Sequence, residues 1–119
     1  MSVRRGLAVL ALGLIATDAV ADDATVKRLY DRCEGCHSPD RNRTGPMLGG
    51  LFGRSAGGVK DFDYSAAMAS LTFQWDEQSL SRFLENPQAV APGNKMEFRG
   101  IDNAAERREL IEHLRRLLR

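Results

Sequence analysis

The only two cysteines in the chain, Cys33 and Cys36, stand three apart in "DRCEGCHSPD", and His37 follows the second directly. Three chemistries use thiols at this spacing. A redox dithiol wants a strand before the pair, a helix after it and a thiol of lowered pKa. A zinc site wants four ligands. Only His113 could join the three, and neighbours 36 and 37 chelate one ion poorly. The third chemistry is covalent attachment of haem, for which C-x-x-C-H is the attachment pattern. Thiols three residues apart near a helix end project to one side, where they can add to the two vinyl groups of one porphyrin. The histidine behind them then offers an imidazole nitrogen to the iron. Of the three readings, this one gives His37 a purpose.

An iron held this way in an electron carrier wants a second axial ligand. The candidates are Met47, Met68, Met96 and His113. A lone methionine in a loop is ordinarily core filler. Met96 stands apart because "APGNKMEF" surrounds it with turn chemistry, Pro92-Gly93 and Asn94, and an aromatic, Phe98. His113 sits among leucines on a helical pattern, where a packed or solvated role is expected.

The elements that must position these residues are helical. Val26, Leu29, Tyr30 and Cys33 follow i, i+3, i+4, i+7, so the cysteines close a helix. At the other end, Asn103 with Glu106 three later opens a helix striped by Leu110, Ile111, Leu114, Leu117 and Leu118. "WDEQSLSRFLENP" predicts a helix of about ten residues, with Asp76 and Glu77 in its first turn and Asn86-Pro87 as its stop. Ser65 is placed to cap a short helix running through Ala69. The stretch between, "RNRTGPMLGGLFGRSAGGVKDFD", is Gly-rich loop anchored by Leu48, Leu51 and Phe52, and no segment alternates with period two. The expected fold class is therefore all-α, three or four helices joined by long loops. Such loops are unusual in a compact domain unless they wrap a large apolar object, and a haem is one.

The 119 residues make one domain at most. Arg4 and Arg5, the apolar run Gly6 to Ala16 and the small residues Ala19 to Ala21 read as a secretory signal peptide over residues 1–21. The run is shorter than the ~20 residues that span a bilayer, so cleavage after Ala21 rather than stable membrane insertion is expected. The domain is then Asp22 to Arg119. Taking Arg4, Arg5 and Asp18 from the chain's 17 basic and 16 acidic residues leaves fifteen of each. A formally neutral domain does not suit nucleic acid, which wants a basic excess.

Beyond the pentapeptide, the chain resembles the class I c-type cytochromes, in particular the mitochondrial and alphaproteobacterial cytochromes c. The stretches that carry this are "CEGCH", "TGPMLGGLFGR", Tyr64, Trp75, "SLSRFLENP", "PGNKMEF", Gly100-Ile101 and "RRELIEHL", in that order over the whole domain. The resemblance implies a cytochrome c fold wrapped around one haem c held by Cys33 and Cys36. It implies His37 and Met96 as axial ligands, and a Pro46 carbonyl that orients the His37 ring. It puts Arg54, Tyr64 and Trp75 at the haem propionates, and Asn94, where the family usually has Thr, near a propionate and the methionine loop. Leu48, Leu51, Phe83, Leu84, Phe98 and Ile101 would wall the pocket. With both axial positions filled, the implied function is a monomeric, periplasmic one-electron carrier rather than an enzyme. Its implied partners are a quinol-oxidising complex, a terminal oxidase or a periplasmic dehydrogenase. The competing reading is a small haem enzyme or gas-binding protein, peroxidase-like, with a labile Met96 bond.

The chain also departs from that pattern. The loop from His37 to Thr44 is shorter, and Thr25 stands where a glycine lets the terminal helices approach. Leu29 replaces an aromatic, with Tyr30 next to it, and Phe83 replaces a tyrosine. Gln88, Ala89 and Asp102 replace lysines, which leaves Lys27, Arg32 and Lys95 as a thin basic ring.

Overall fold

The computed structural model describes residues 2–15 and 21–119. Residues 2–15 take no helix or strand and lie exposed. Most of the expected cleavage signal, residues 19 and 20 among it, lies outside the described residues.

Five helical segments make up the domain: α1 (Asp23–Glu34), α2 (Ala66–Ala69), α3 (Glu77–Glu85), α4 (Pro87–Val90) and α5 (Ala104–Leu117). Each start has a chemical cause. Asp22, Ser65, Asp76 and Asn103 accept from the backbone N–H groups of Thr25, Met68, Ser79 and Glu106 at 2.7, 3.2, 2.7 and 3.0 Å. The reciprocal capping box belongs to α3, where the Ser79 hydroxyl also accepts from Asp76 N–H at 2.8 Å. Asn86 ends α3 as expected, yet its side chain then accepts from Ala89 N–H at 3.2 Å and opens α4 with Pro87 at the first position. The sequence marks Asn86-Pro87 only as a stop. A proline that stops one helix is well suited to start another, since its ring presets φ and its missing N–H is not needed in a first turn.

No strand occurs among the described residues; Ser55 and Gln74 form one isolated antiparallel bridge. It tethers the Gly-rich loop to the segment before α3, with Gly53 N–H to Trp75 O at 2.8 Å and Trp75 N–H to Arg54 O at 2.9 Å.

The core forms where α5 packs on both α1 and α3. Leu110, Ile111 and Leu114 meet Tyr30 from α1 and Leu80, Phe83 and Leu84 from α3, with Trp75, Leu51 and Ile101 closing the cluster. Tyr30 is buried and sets its ring edge-on against His113 at 5.1 Å. This gives His113 the packed role, away from the thiols. Arg107, 9% exposed, binds α5 to the chain before it through the carbonyls of Ile101 and Asp102 at 2.8 and 2.9 Å and the Ser81 hydroxyl at 3.2 Å.

Candidate haem-binding site

The last turn of α1 and the loop after it build one wall. Cys33 lies half-buried in that turn, and both Cys36 N–H and His37 N–H return to its carbonyl at 3.1 and 2.9 Å. The chain thus coils once more past the helix end and presents the exposed Cys36 and the half-buried His37. Both thiols are free. Burial pushes the Cys33 thiol up to about 11. A nucleophilic dithiol needs the opposite shift, and the C-terminal end of a helix does not supply it. The zinc reading also lacks support, since among the described residues no three His, Cys, Asp or Glu side chains gather to hold an ion.

His37 is oriented by the next loop. Gly45 N–H donates to Cys36 O at 2.8 Å, which folds Pro46 over the imidazole, and the Pro46 carbonyl lies 2.7 Å from Nδ1. A carbonyl can only accept, so Nδ1 carries the proton and Nε2 keeps its lone pair. Burial lowers the pKa of His37 and outweighs the opposing effect of Pro46, which favours the neutral ring a metal requires. The loop can lie this close only because residue 45 is glycine; a Cβ there would collide with the imidazole.

Two side chains offer donors that the protein itself does not satisfy. Arg54 gives its Nη1 and Nη2 groups to the carbonyls of Gly49 and Met47 at 2.8 and 3.0 Å, while its Nε is buried without a partner. No carboxylate among the described residues reaches this guanidinium. The Tyr64 oxygen accepts from Val59 N–H at 3.0 Å, and its O–H remains to donate. The buried, unpartnered Arg54 Nε–H and the half-buried Tyr64 O–H are donors that suit an anion of the size of a carboxylate. Trp75 is buried, edge-on to both Phe73 and Phe83 at 5.3 and 5.1 Å.

The remaining wall is apolar. Cys33, Leu48, Phe52, Met68, Leu71, Phe73, Met96 and Phe98 are all half-buried and pack against the core on its outer side. Of the six expected wall residues, Leu51, Phe83, Leu84 and Ile101 are in the core itself, and Leu48 and Phe98 lie at its edge. Such a surface is what an apolar macrocycle would cover.

Against this geometry, the likeness to known proteins is decisive. No family model matches the chain. It is 39% identical over 94 residues to cytochrome c of Euglena viridis, covering 76% of this chain and 92% of that one. It is 39% identical to cytochrome c2 iso-2 of Magnetospirillum fulvum, covering 74% and 94%. Cytochrome cH from Methylobacterium extorquens superposes with a TM-score of 0.73 at 31% identity, covering 81% of this chain and 99% of that one. The chain belongs to the class I c-type cytochromes. It has the cytochrome c fold, carries one haem c, and is an electron-transfer protein rather than an enzyme. Cys33 and Cys36 are the only thiols it has to hold that haem.

The structure of this cytochrome also shows side chains the sequence reading passed over. Arg43 donates to three carbonyls of the attachment turn, those of Glu34, His37 and Gly35, at 2.7, 3.3 and 3.4 Å. Asn42 accepts from Met47 N–H at 2.9 Å and donates to Lys60 O at 3.2 Å, joining two loops. Neither has a local signal, because the carbonyls they meet become neighbours only once the loop folds back. The Asn94 amide donates to the carbonyls of Pro87 and Ala91 and accepts from Met96 N–H.

Proposed function

We propose that this cytochrome is a soluble, monomeric carrier working in the periplasm after removal of residues 1–21. In this reading Cys33 and Cys36 form thioethers to the haem, and His37 and Met96 are its axial ligands. Pro46 fixes the imidazole, and Arg54, Tyr64 and Trp75 hold the propionates. When bound, the haem supplies a one-electron Fe(III)/Fe(II) couple, and His/Met ligation with burial raises its potential. The chain's part is to keep that couple dry, six-coordinate and nearly immobile. The observation that carries the reading is the His37 ring, locked through Nδ1 to Pro46 with Nε2 left to bind metal.

The partners are redox proteins, with a quinol-oxidising complex, a terminal oxidase or a periplasmic dehydrogenase as the candidates. Charge offers them little guidance. Lys27 pairs with Asp31 at 3.1 Å, Lys95 with Asp63 at 3.2 Å, and Arg32 lies over the Phe98 ring at 4.7 Å. With both lysines of its thin basic ring paired to carboxylates, the protein is suited to contacts that depend weakly on salt.

The test is a visible spectrum of the matured protein, oxidised and reduced, with carbon monoxide added to the reduced form. We expect sharp reduced bands that carbon monoxide leaves alone, and a weak sulfur-to-iron band when oxidised. Met96→Ala should keep the haem, lose that band and bind carbon monoxide. A parent protein that binds carbon monoxide at once would overturn Met96 as ligand and favour a gas-binding or peroxidase-like role.

A further inference from the structure

Gln88 and Asn94 are both departures from the family pattern, and both side chains are engaged in the same short segment. Asn94, 8% exposed, accepts from Met96 N–H at 2.9 Å through Oδ1. Its Nδ2 donates to Pro87 O and Ala91 O at 3.0 and 2.9 Å. The amide's orientation follows from its partners, since an N–H can only donate and a carbonyl only accept. Gln88 works from outside the loop. Its Oε1 accepts from Gly93 N–H at 2.9 Å and its Nε2 donates to Asn94 O at 3.2 Å. These bonds close over a turn in which Asn94 N–H meets Ala91 O at 3.1 Å, with Pro92 second and Gly93, at φ 83°, third.

Outside these bonds, the exposed Lys95 ties the stretch to Asp63, through its carboxylate at 3.2 Å and its carbonyl at 3.3 Å. Pro92, Gly93, Lys95 and Glu97 are exposed, and Met96 itself is only half-buried. A segment with few buried apolar contacts opens locally at low cost. Replacing an iron-bound thioether by an outside ligand requires such an opening, because the sulfur must first leave.

We propose that Gln88 and Asn94 form a two-amide clasp that keeps the Met96 loop closed, so that they are positioning residues guarding the sixth coordination site. The clasp acts on the loop backbone and needs no contact with the haem. It rests on Met96 as the second axial ligand. A lysine at position 88 and a threonine at 94, as the family usually has, could not make the same set of bonds. Neither offers an amide, and the clasp is therefore a property of this chain rather than of the fold.

The experiment titrates the oxidised, haem-loaded protein with imidazole while following the sulfur-to-iron band. Parent, Gln88→Ala, Asn94→Ala and Asn103→Ala are compared, with thermal unfolding measured alongside. Each clasp variant removes two or three net hydrogen bonds from the closed loop, so imidazole should bind about tenfold more tightly to it. Asn103→Ala removes the cap of α5, whose side chain bonds Glu106 N–H and neither clasp residue, and should lower thermal stability while leaving the imidazole affinity at the parent value. If the clasp variants bind imidazole as weakly as the parent, the proposal is wrong. It is equally wrong if Asn103→Ala raises the affinity as much as they do, since the effect is then one of overall stability. Gln88 is exposed, so its variant decides the matter if Asn94→Ala does not mature. A parent that lacks the sulfur-to-iron band would instead overturn Met96 as ligand, and the clasp with it.

Discussion

Residues 35–48 and residues 86–98 each bring one ligand candidate to the core, and they are held in opposite ways. The His37 side is fixed by main chain. Gly45 N–H meets Cys36 O, Leu48 N–H meets Ser38 O and Gly49 N–H meets Pro39 O, at 2.8, 2.9 and 2.9 Å. The Arg43 guanidinium then ties the attachment turn to the same loop, and two covalent bonds anchor it to the haem. The Met96 side has no covalent tie; beyond its local turns it is held by two amide side chains within ten residues of chain and by exposed Lys95, which reaches Asp63 at 3.2 Å. The difference gives the two proposed ligands different tasks. One is built in with the cofactor, and the other is a local closure that can be undone without unfolding the domain. Exchange at the iron should therefore begin on the Met96 side.

The most severe way to test this is to remove the anchor. The double variant Cys33→Ala/Cys36→Ala should yield no stable holoprotein, because the apolar side of the core from Leu48 to Phe98 then has nothing to cover it. A haem-free double variant with the parent's helix content and a cooperative melt would show that the haem does not organise the fold. The next effect compares the two sides directly. Gly45→Ala drives a methyl into the His37 ring, and Gly100→Ala, at φ 115°, drives one onto the Glu85 carbonyl behind the methionine loop. Each should cost about 1–3 kcal/mol in denaturant unfolding, the first through overpacking and the second through backbone strain. Their spectra should differ. Gly100→Ala should weaken the sulfur-to-iron band, whereas Gly45→Ala should leave it and shift the potential through the imidazole. Identical spectral changes in the two would erase the proposed division between the sides.

Much of this architecture was legible in the sequence wherever the cause is local. Asp22, Ser65, Asp76 and Asn103 announce helix starts because a cap acts within three residues. The pentapeptide carries its own geometry for the same reason and points to His37, and the spaced blocks of resemblance point to the Pro46 carbonyl that lies against its ring. What stayed hidden depends on contacts made across loops or on one residue serving twice. Asn86 both ends α3 and starts α4. Tyr30 meets His113 on α5, a contact between chain ends that no local pattern announces. The Asn94 amide satisfies three backbone groups that become neighbours only once its loop has turned.

The smallest effect separates stability from ligation altogether. Asp76 caps α3, whose far end launches the Met96 loop at Asn86. Hydrogen bonds from the Ser79 backbone and side chain hold its carboxyl below the ordinary value of 3.8. A carboxyl with a depressed folded pKa favours the folded state in its ionised form. Its contribution is complete above the unfolded pKa and is lost as pH falls through the folded one. Asp76→Asn keeps an oxygen to cap Ser79 N–H but cannot titrate. It should match the parent's urea midpoint near neutral pH and lose less of it as pH falls below about 4, the ordinary carboxyl range. Because the cap lies at the other end of α3 from the clasp, the sulfur-to-iron band at neutral pH should be unchanged. An equal acid loss in both proteins would mean that the Asp76 charge does not contribute. A band lost at neutral pH would mean that the Met96 loop depends on the whole of α3 rather than on its own two amides.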